Sequence, residues 1–507
     1  MQIITYQPEL NPELPVIIGN IDYHQYRTTL ERIDQLLLNS GIERTFIQFY
    51  LSEAECLGRE QALSEGKKYR RPGIEATARL EIHAFLALRC NIARSLESKS
   101  YRKMSRHLAD SPLLQKFCGI SRMDVIKVPS KSTIERYDKA VPESMVRDII
   151  NQLNMASTQN NNCGQSVLGL ETSVSLSNFL MDTTCVKANV HFPVDWVLLR
   201  DAARTLLKAM QLIRNQGLKN RMAPPADFAK SVNKLCIEMT HSRRRKDGPK
   251  LRKKILRILK KILRRIDLHA RKHQALLASC WEETELSENQ ANQIIARIES
   301  ICEQLPAAIH QAHERIIGGR RVPNKDKILS LYDQNINVLV RGKAGAEVEF
   351  GNTLLLVEQQ DGLLVDWDFL LKNRSDSPLV KESLDRFQTA FGLLPNAVVT
   401  DRGFDSPSNR ELIEENTEMY NAICPKSPLA FQEKMKDPTF CELQKRRSQN
   451  EGRMGIFKNG FLGRPMRSKG FVNREMNITW SVLAHNLWVL ARLPWTNENQ
   501  NRLTPAA

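Results

Sequence analysis

The first third of the chain carries the apolar periodicity of helices. Apolar residues recur at three- and four-residue spacing over 23–39, and Gly41 follows as a stop signal. The same periodicity fills most of 74–154. This pattern predicts an all-α N-terminal region, which we divide into a leader with one helix at 1–72 and a helical domain at 73–155.

Three short segments of the helical domain have the order of a helix-turn-helix. The segment 101–108 is basic on its outer face, and the third helix is expected within 129–137. Ser132 and Glu135 in that segment have capping-box spacing. A scaffold of three small packed helices is an equally common interpretation of the pattern. The candidate DNA contacts on the third helix are Lys131 and Arg136.

A second stretch of helical pattern extends over 195–322 and predicts a helical insert. One apolar seam in 251–272 follows three- and four-residue steps through Leu251, Ile255, Ile258, Ile262 and Ile266. The segment 290–313 also has one apolar face. We therefore expect these two helices to pair as an antiparallel hairpin.

Short runs of β-forming residues, bounded by Gly, Asp or Asn, replace the helical pattern after Pro323. An isolated run of the same kind begins at Asn178. The expected strands are 327–332, 337–341, 352–358, 362–367, 396–401 and 420–424, with helices at 379–391 and 408–415. Together they predict an α/β core, a mixed sheet with flanking helices, assembled from 176–194 and 323–495.

Composition adds a strongly basic balance. The 507 residues carry a formal net charge of +17, so an acidic polymer is the expected partner. No apolar run approaches the ~20 residues that span a bilayer, and no signal-peptide pattern is present, so we expect no membrane association. The ten cysteines include no Cys-x-x-Cys pair, which favours reduced thiols in a cytoplasm.

The basic residues concentrate in the insert, where few acids balance them. Like charges at this density repel one another unless phosphates neutralise them, which favours a DNA-backbone surface over a merely solvated face. The candidate contacts are Arg243, Arg244, Arg245, Lys253, Lys254, Arg257, Lys260, Lys261, Arg264 and Arg265.

Three acids stand where strands end or on a neighbouring helix. Asp401 ends a Val-rich run, and Asp182 ends a similar apolar run. Glu451 lies on a predicted helix, four residues after Arg447 and seven before Lys458. A single Asp at a strand end is as often a turn or cap residue, so the combination of the three carries the prediction of a site.

The order of elements and acids resembles the RNase H-like core and, more narrowly, the DDE transposases of bacterial insertion sequences. The segment 181–186 matches the first-acid strand, 341–351 the second-strand hairpin, and 399–406 the second acid with its following aromatic residue. Arg447, Glu451 and Lys458 have the spacing of the Tyr-Arg-Glu-Lys signature. The Tyr of that signature is Gln444 in this chain.

The resemblance implies a transposase that cuts and joins DNA at the ends of a mobile element by two-metal-ion hydrolysis and strand transfer. Asp182, Asp401 and Glu451 would hold two Mg²⁺ or Mn²⁺ ions, hard cations that prefer carboxylate oxygens. Arg447 and Lys458 are expected to hold phosphate near the scissile bond. The implied partners are element ends and target DNA, bound by a homodimer or larger assembly in the nucleoid of a bacterial cytoplasm.

Three alternatives remain open from the sequence. Asp333 ends the expected strand 327–332 and could replace Asp182 as the first acid. A catalytically inactive or domesticated DNA-binding protein derived from such an element would keep the fold and the basic surface. A metal-dependent nuclease of the same fold, without strand transfer, would share every residue named above.

Overall fold

The computed structural model describes residues 14, 16–121, 125–343, 346–463 and 466–496. Contacts divide the chain into two compact units. Unit 1 comprises Met1–Lys187 and Asn352–Ala507, and unit 2 comprises Ala188–Gly351. The predicted leader at the start of 1–72 lies outside the described residues. In the part of the chain that the structure describes, no helix combines the length and apolar character needed to cross a membrane.

The elements follow one another in chain order. The first segment of unit 1 contains α1 (Ile21–Asn39), α2 (Ile42–Ser64), α3 (Ile74–Leu96), α4 (Tyr101–Asp110), α5 (Pro112–Phe117), α6 (Lys131–Asp138), α7 (Glu143–Thr158) and β1 (Asn178–Lys187). Unit 2 contains α8 (Asp195–Asn215), α9 (Pro225–His241), α10 (Gly248–Cys280), α11 (Glu288–Ile316) and β2 (Asn337–Lys343). Strand β3 (Ala346–Glu358) leads back into unit 1, followed by β4 (Leu364–Phe369), α12 (Ser377–Phe391), β5 (Ala397–Thr400), α13 (Pro407–Glu414), β6 (Tyr420–Ile423), α14 (Pro428–Lys434), α15 (Pro438–Ser448), α16 (Asn450–Ile456) and α17 (Phe471–Arg492).

The sheet of unit 1 is mixed. Its strand order is β4-β3-β1-β5-β6, in which β1 and β6 both pair with β5 in parallel and β4 pairs with β3 antiparallel. Every residue of β5 is buried, as expected for a parallel strand covered on both faces. Strand β1 continues five residues beyond Asp182, to Lys187, so the expectation that Asp182 ends its strand was wrong. The residues after it are mostly β-branched or apolar and keep the extended conformation.

Helices cover both faces of this sheet. Along β3, Leu354 and Leu356 enter one core, whereas Leu355 and Val357 enter the other, because successive side chains of a strand point to opposite faces. One core includes residues of α12, such as Phe387, which contacts Phe179 edge to face. The predicted mixed sheet with flanking helices is therefore confirmed.

The other core joins the first helices of the chain to the last. Helix α17 is almost entirely buried, and its Trp480 lies edge to face against Phe46 of α2. The Trp480 indole also donates to the carbonyl oxygen of Asp138, at the end of α6. Asp138 in turn forms a buried ion pair with Arg94, 2.7 Å long. The N-terminal helices and the C-terminal helix thus share one interior.

Helix α6 is capped two residues earlier than its sequence pattern suggested. Ser130 is the N-cap residue, and its hydroxyl accepts a hydrogen bond from the backbone N–H of Thr133 at 3.2 Å. Ser132 lies inside the helix, so the predicted capping box of Ser132 and Glu135 was wrong. Glu135 instead forms an ion pair with Lys131 at 3.4 Å.

Unit 2 contains a helical bundle and β2, which pairs antiparallel with the first part of β3. Helices α8, α9, α10 and α11 surround one apolar core. The buried residues of α10 between its first and fifth turns are Ile255, Leu256, Leu259, Leu263 and Ile266. The predicted seam was therefore partly wrong, since Ile258 is 42% exposed. A helix that packs against three neighbours buries a wider stripe of residues than a helix that packs against one, and the centre of that stripe is shifted.

The segment 327–332 forms no strand, contrary to expectation. It follows a short 3-10 turn at Asn324–Asp326 and runs irregularly towards β2. Its apolar residues are buried all the same, because Leu331 joins the core of the helical bundle and Leu329 packs with Ile336. Alternating apolar residues here reflect contact with helices and a hairpin and not membership of a sheet.

Candidate active site

Asp182 is the first of the three predicted acids in chain order and is partly buried. It lies in the middle of β1, and one carboxylate oxygen accepts the backbone N–H of Thr183 at 2.7 Å. Burial and, next, the negative charge of Asp401 raise the pKa of the Asp182 carboxyl to about 6, with a smaller contribution from Glu451. The positive charge of Arg447 acts in the opposite direction. These charges act on one another, so the structure brings the three predicted acids and Arg447 into one neighbourhood.

Asp401 follows β5 directly and caps a 3-10 turn, Arg402–Phe404. Its carboxylate accepts the backbone N–H of Gly403 at 2.8 Å. A Cβ at position 403 would lie 3.0 Å from that carboxylate and 2.9 Å from the carboxylate of Asp376. A side chain at position 403 would therefore crowd the carboxylates of Asp401 and Asp376.

The predicted continuous helix around Glu451 is divided into three parts. Helix α15 ends at Ser448, α16 carries the exposed Glu451 in its first turn, and a π-helix over Phe457–Leu462 carries Lys458. The backbone of Gln449 keeps right-handed dihedral angles, so the chain stays coiled through the break. The glycines in α16 have low helix propensity, and the wider π-turn places Phe457 and Phe461 in the core.

Lys458 is held against β1. Its ammonium nitrogen donates to the hydroxyl oxygen of Thr184 at 2.6 Å. Thr184 is buried and lies two residues after Asp182, so the two side chains point to the same face of the strand. The sequence singled out Lys458 by its spacing from Glu451, but it contained no signal that Thr184 would be its partner.

Arg447 is held by Gln444. Its Nε–H donates to the Gln444 side-chain oxygen at 2.9 Å. The Gln444 amide nitrogen donates to the backbone carbonyl oxygens of Thr400 and Ala422, at 3.1 and 2.7 Å. The residue at the Tyr position of the signature therefore links α15 to the ends of β5 and β6, and sequence reasoning assigned it no role.

A buried ion-pair cluster docks these helices on β3, and sequence reasoning missed it as well. Glu358, the last residue of β3, is 5% exposed and accepts from Arg446 at 2.7 Å and from Arg453 at 2.9 Å. Arg446 also donates to the backbone carbonyl oxygens of Gln359 and Gln360. A carboxylate at the end of an apolar strand, with a basic run later in the chain, is the signal that could have indicated it.

The rival first acid is Asp333. Asp333 belongs to unit 2 and is 8% exposed, in the irregular segment before β2. The hydroxyl of Ser330 accepts its backbone N–H at 3.2 Å. Asp182, in contrast, lies in unit 1 and interacts electrostatically with both Asp401 and Glu451. Asp182 thus interacts with the other two acids, and its choice as the first acid stays a prediction.

The basic candidates of the insert differ in what surrounds them. Arg245 forms an ion pair with Asp247 at 2.9 Å, and the ammonium of Lys260 lies 3.1 Å from the Nδ1 of His313. The guanidinium groups of Arg243 and Arg265 lie over aromatic rings. The basic strip, as we call the exposed set on one face of α10, comprises Lys253, Lys254, Arg257, Lys261 and Arg264. Within the described chain, no acid lies within ion-pair distance of these five.

The acids suit a divalent metal ion by their chemistry. Two carboxylates that repel each other strongly enough to raise a pKa are stabilised by a cation between them, and Mg²⁺ and Mn²⁺ prefer such oxygen ligands. The three acids do not form a complete set of metal ligands. Among the described residues, no three His, Cys, Asp or Glu side chains lie close enough together to hold an ion. The acids are therefore candidates for metal ligands by their chemistry and by the interaction of Asp182 with Asp401.

Comparison with known proteins gives one family. Residues 342–487 match the family described as transposase DDE domain. The matched segment includes Asp401, Arg447, Glu451 and Lys458, whereas Asp182 lies before it. No curated protein and no solved structure matches the chain. Residues 342–487 thus carry a transposase DDE domain, which confirms the resemblance to the DDE transposases of insertion elements found in the sequence.

Proposed function

We propose that the protein cuts DNA at the ends of its mobile element and joins them to target DNA with the help of divalent metal ions. The observation that carries this proposal is the meeting of Asp182, Asp401, Glu451 and Arg447 in one electrostatic neighbourhood. The strand order β4-β3-β1-β5-β6, with the first acid on the central strand and the second at the end of its parallel neighbour, supports an RNase H-like core.

The acids would act as metal ligands. Asp182 and Asp401 would hold Mg²⁺ or Mn²⁺, and Glu451 on the first turn of α16 would complete the ligands of a two-ion site. Such ions, when bound, stabilise the negative charge on the phosphate oxygens in the transition state and lower the pKa of an attacking water or hydroxyl. The Asp182 carboxyl, with a pKa of about 6, is ionised at neutral pH and available as a ligand.

Arg447 and Lys458 would hold the phosphate that is cut. A guanidinium binds two phosphate oxygens with parallel hydrogen bonds, and Gln444 restrains this one. The ammonium of Lys458 is tethered to Thr184, beside Asp182 along β1. Positive charge fixed before the reaction lowers the barrier where negative charge develops in the transition state.

The basic strip on α10 would contact the phosphate backbone of the duplex. Phosphate contacts position DNA without identifying its sequence, so recognition of the element end needs another surface. The exposed Arg136 and the ion-paired Lys131 on α6 remain our candidates for that surface. We also propose that the protein works as a homodimer or larger assembly on DNA, in the nucleoid of a bacterial cytoplasm.

The test is nicking of a duplex that carries the element end. Asp182→Asn, Asp401→Asn and Glu451→Gln should each abolish Mg²⁺-dependent nicking, because each removes a metal-ligating charge. Affinity for the duplex should stay within a few-fold, since all basic side chains are kept. Asp333→Asn is the matched control and should nick at the wild-type rate.

The other outcomes identify the alternatives. Loss of nicking in Asp333→Asn, with activity retained in Asp182→Asn, would mean that Asp333 is the first acid. Tight DNA binding without nicking by the wild-type protein would favour an inactive or domesticated DNA-binding protein. Nicking without joining of the freed 3′ end to a target plasmid would favour a nuclease.

A further inference from the structure

Gln444 lies between two strand ends and a basic side chain of the candidate site. Its amide nitrogen donates to the carbonyl oxygens of Thr400 and Ala422, and its amide oxygen accepts from Arg447. These partners fix the orientation of the amide, because a carbonyl only accepts hydrogen bonds and a guanidinium only donates them. Both N–H groups and the oxygen of Gln444 are therefore used.

These three hydrogen bonds join parts of the chain that matter to the site. Thr400 is the residue directly before Asp401, and Ala422 lies on the neighbouring strand β6. Arg447 is about one helical turn after Gln444, and its charge acts on Asp182. One side chain thus connects the strand that leads into Asp401 to the guanidinium that lies about one turn before Glu451.

We infer that Gln444 is a positioning residue, which holds the Arg447 guanidinium against the ends of β5 and β6 so that it meets the phosphate being cut. This inference rests on the proposed function. A Tyr at this position, as in the related signature, has a single O–H donor and could satisfy only one of the two carbonyl oxygens. The Gln in this chain makes the link with both strands and still accepts from Arg447.

A plain structural role predicts something different. If Gln444 merely fixed α15 to the sheet, its replacement would lower stability, and its effect on rate would be independent of Arg447. If it acts through Arg447, its replacement should lower the rate of nicking, and it should have no further effect once Arg447 is replaced.

A double-mutant cycle separates these roles. Gln444→Met, Arg447→Met and the double variant are compared in single-turnover nicking at saturating end duplex, with duplex affinity and thermal unfolding measured alongside. Gln449→Met is the matched control, since Gln449 is exposed in the same helical stretch and its side chain makes no hydrogen bond among the described residues.

Gln444→Met should slow nicking by about 10- to 100-fold, the range expected when a reacting group is misplaced by about an ångström. Duplex affinity should change by less than about threefold, because the phosphates bound at equilibrium are nearly the same. The double variant should nick as slowly as Arg447→Met alone, and Gln449→Met should match the wild type. Effects of the two substitutions that multiply, or equal reductions of rate and affinity, would overturn the inference.

A second measurement keeps the inference separable from the proposed function. If the wild-type protein does not nick at all, the proposed function fails, and hydrogen exchange then tests whether Gln444 holds its helix on the sheet, the link that positioning of Arg447 requires. Gln444→Met should speed amide exchange in the segment 446–453 by at least about tenfold relative to Gln449→Met, because the helix is no longer linked to the sheet. Equal exchange in the two variants would show that Gln444 positions nothing.

Discussion

At the scale of single residues, His485 shows that the interior of unit 1 disfavours the charged form of a buried side chain. It lies on α17 and is 5% exposed, with the rings of Phe457, Phe461 and Trp488 around it at centroid distances of 5.6, 5.2 and 6.2 Å. Burial lowers the pKa of His485 to about 4, against the hydrogen bond with Asn486, and the nearby charge of Arg453 lowers it further. The imidazole is therefore neutral at physiological pH.

This neutral imidazole makes stability depend on pH. As the pH decreases below about 6.5, His485 becomes protonated in the unfolded chain, but in the folded protein it stays neutral down to about pH 4. The free energy of unfolding therefore decreases as the pH is lowered from about 6.5 to about 4. The stabilisation removed by pH 4 is about 3 kcal/mol, at 1.36 kcal/mol for each pKa unit. His485→Gln should therefore show a smaller fall in the free energy of unfolding, measured with urea, between pH 6.5 and pH 4. Parallel pH profiles for the two proteins would contradict the assignment.

The acids of the candidate site have recognisable signals in the sequence, whereas the residues that support them mostly do not. Asp401 is recognisable because it directly follows a Val-rich strand. Glu451 is recognisable by its spacing from Arg447 and Lys458 on a predicted helix. Thr184 has none, and Glu358 is marked only as a carboxylate at the end of an apolar strand. Their partners, Lys458 and Arg446, lie far along the chain, and only the folded sheet brings them within hydrogen-bond distance.

At the scale of elements, α10 combines a buried apolar stripe with an unneutralised basic face. Lys253, Arg257 and Arg264 have no acid within ion-pair distance in the part of the chain that the structure describes. Arg245, just before the helix, and Arg271, towards its end, each pair with an acid. An ion-paired arginine already has its counter-charge, so it releases fewer counterions when DNA binds than an unpaired one does.

This contrast provides a matched experiment. Lys253→Gln with Arg257→Gln should flatten the slope of log K against log salt by about two units, one for each phosphate that is no longer neutralised. Arg245→Gln with Arg271→Gln removes the same formal charge and should change the slope much less. Both pairs keep the buried stripe, and circular dichroism should show unchanged helix content. Equal changes in slope for the two pairs would exclude the basic strip as a specific DNA surface.

The helical insert itself was visible in the sequence, whereas the exact stripe of α10 was not. The prediction assumed one partner and followed Ile258 and Ile262, but the helix packs against α8, α9 and α11 and buries Leu256, Leu259 and Leu263. Periodicity identifies a helix and its approximate apolar side. The number of neighbours, which sets the width of that side, depends on tertiary structure.

At the scale of the whole molecule, the first and last residues of unit 2 lie close together. The backbone N–H of Ala188 donates to the carbonyl oxygen of Phe350 at 3.0 Å. Among the described residues, the two larger apolar cores of unit 1 contain nothing from unit 2. Unit 1 therefore has its own interior, although two separate stretches of chain form it.

Replacing 189–349 with an Asn-Gly turn should consequently leave unit 1 folded. A two-residue turn closes strands whose backbones are already within hydrogen-bond distance, at little cost in loop entropy. The shortened protein should unfold in one cooperative transition, measured by calorimetry, and should bind duplex DNA more weakly and with a flatter salt dependence. A molten or aggregated product would show that unit 1 needs the bundle in order to fold.

The interior shared by the first and last helices also affects folding during synthesis of the chain. Helices α1 and α3 bury Ile33, Leu36 and Leu88 in a core that α17 completes, and 450 residues separate the start of α1 from the start of α17 (471 − 21). At a synthesis rate of about 5–20 residues per second, these first helices wait roughly 20–90 seconds for their partner. During that interval their apolar faces lack this partner, so the growing chain is exposed to aggregation. The Asp182 strand cannot join Glu451 until a further 269 residues have been synthesised (451 − 182).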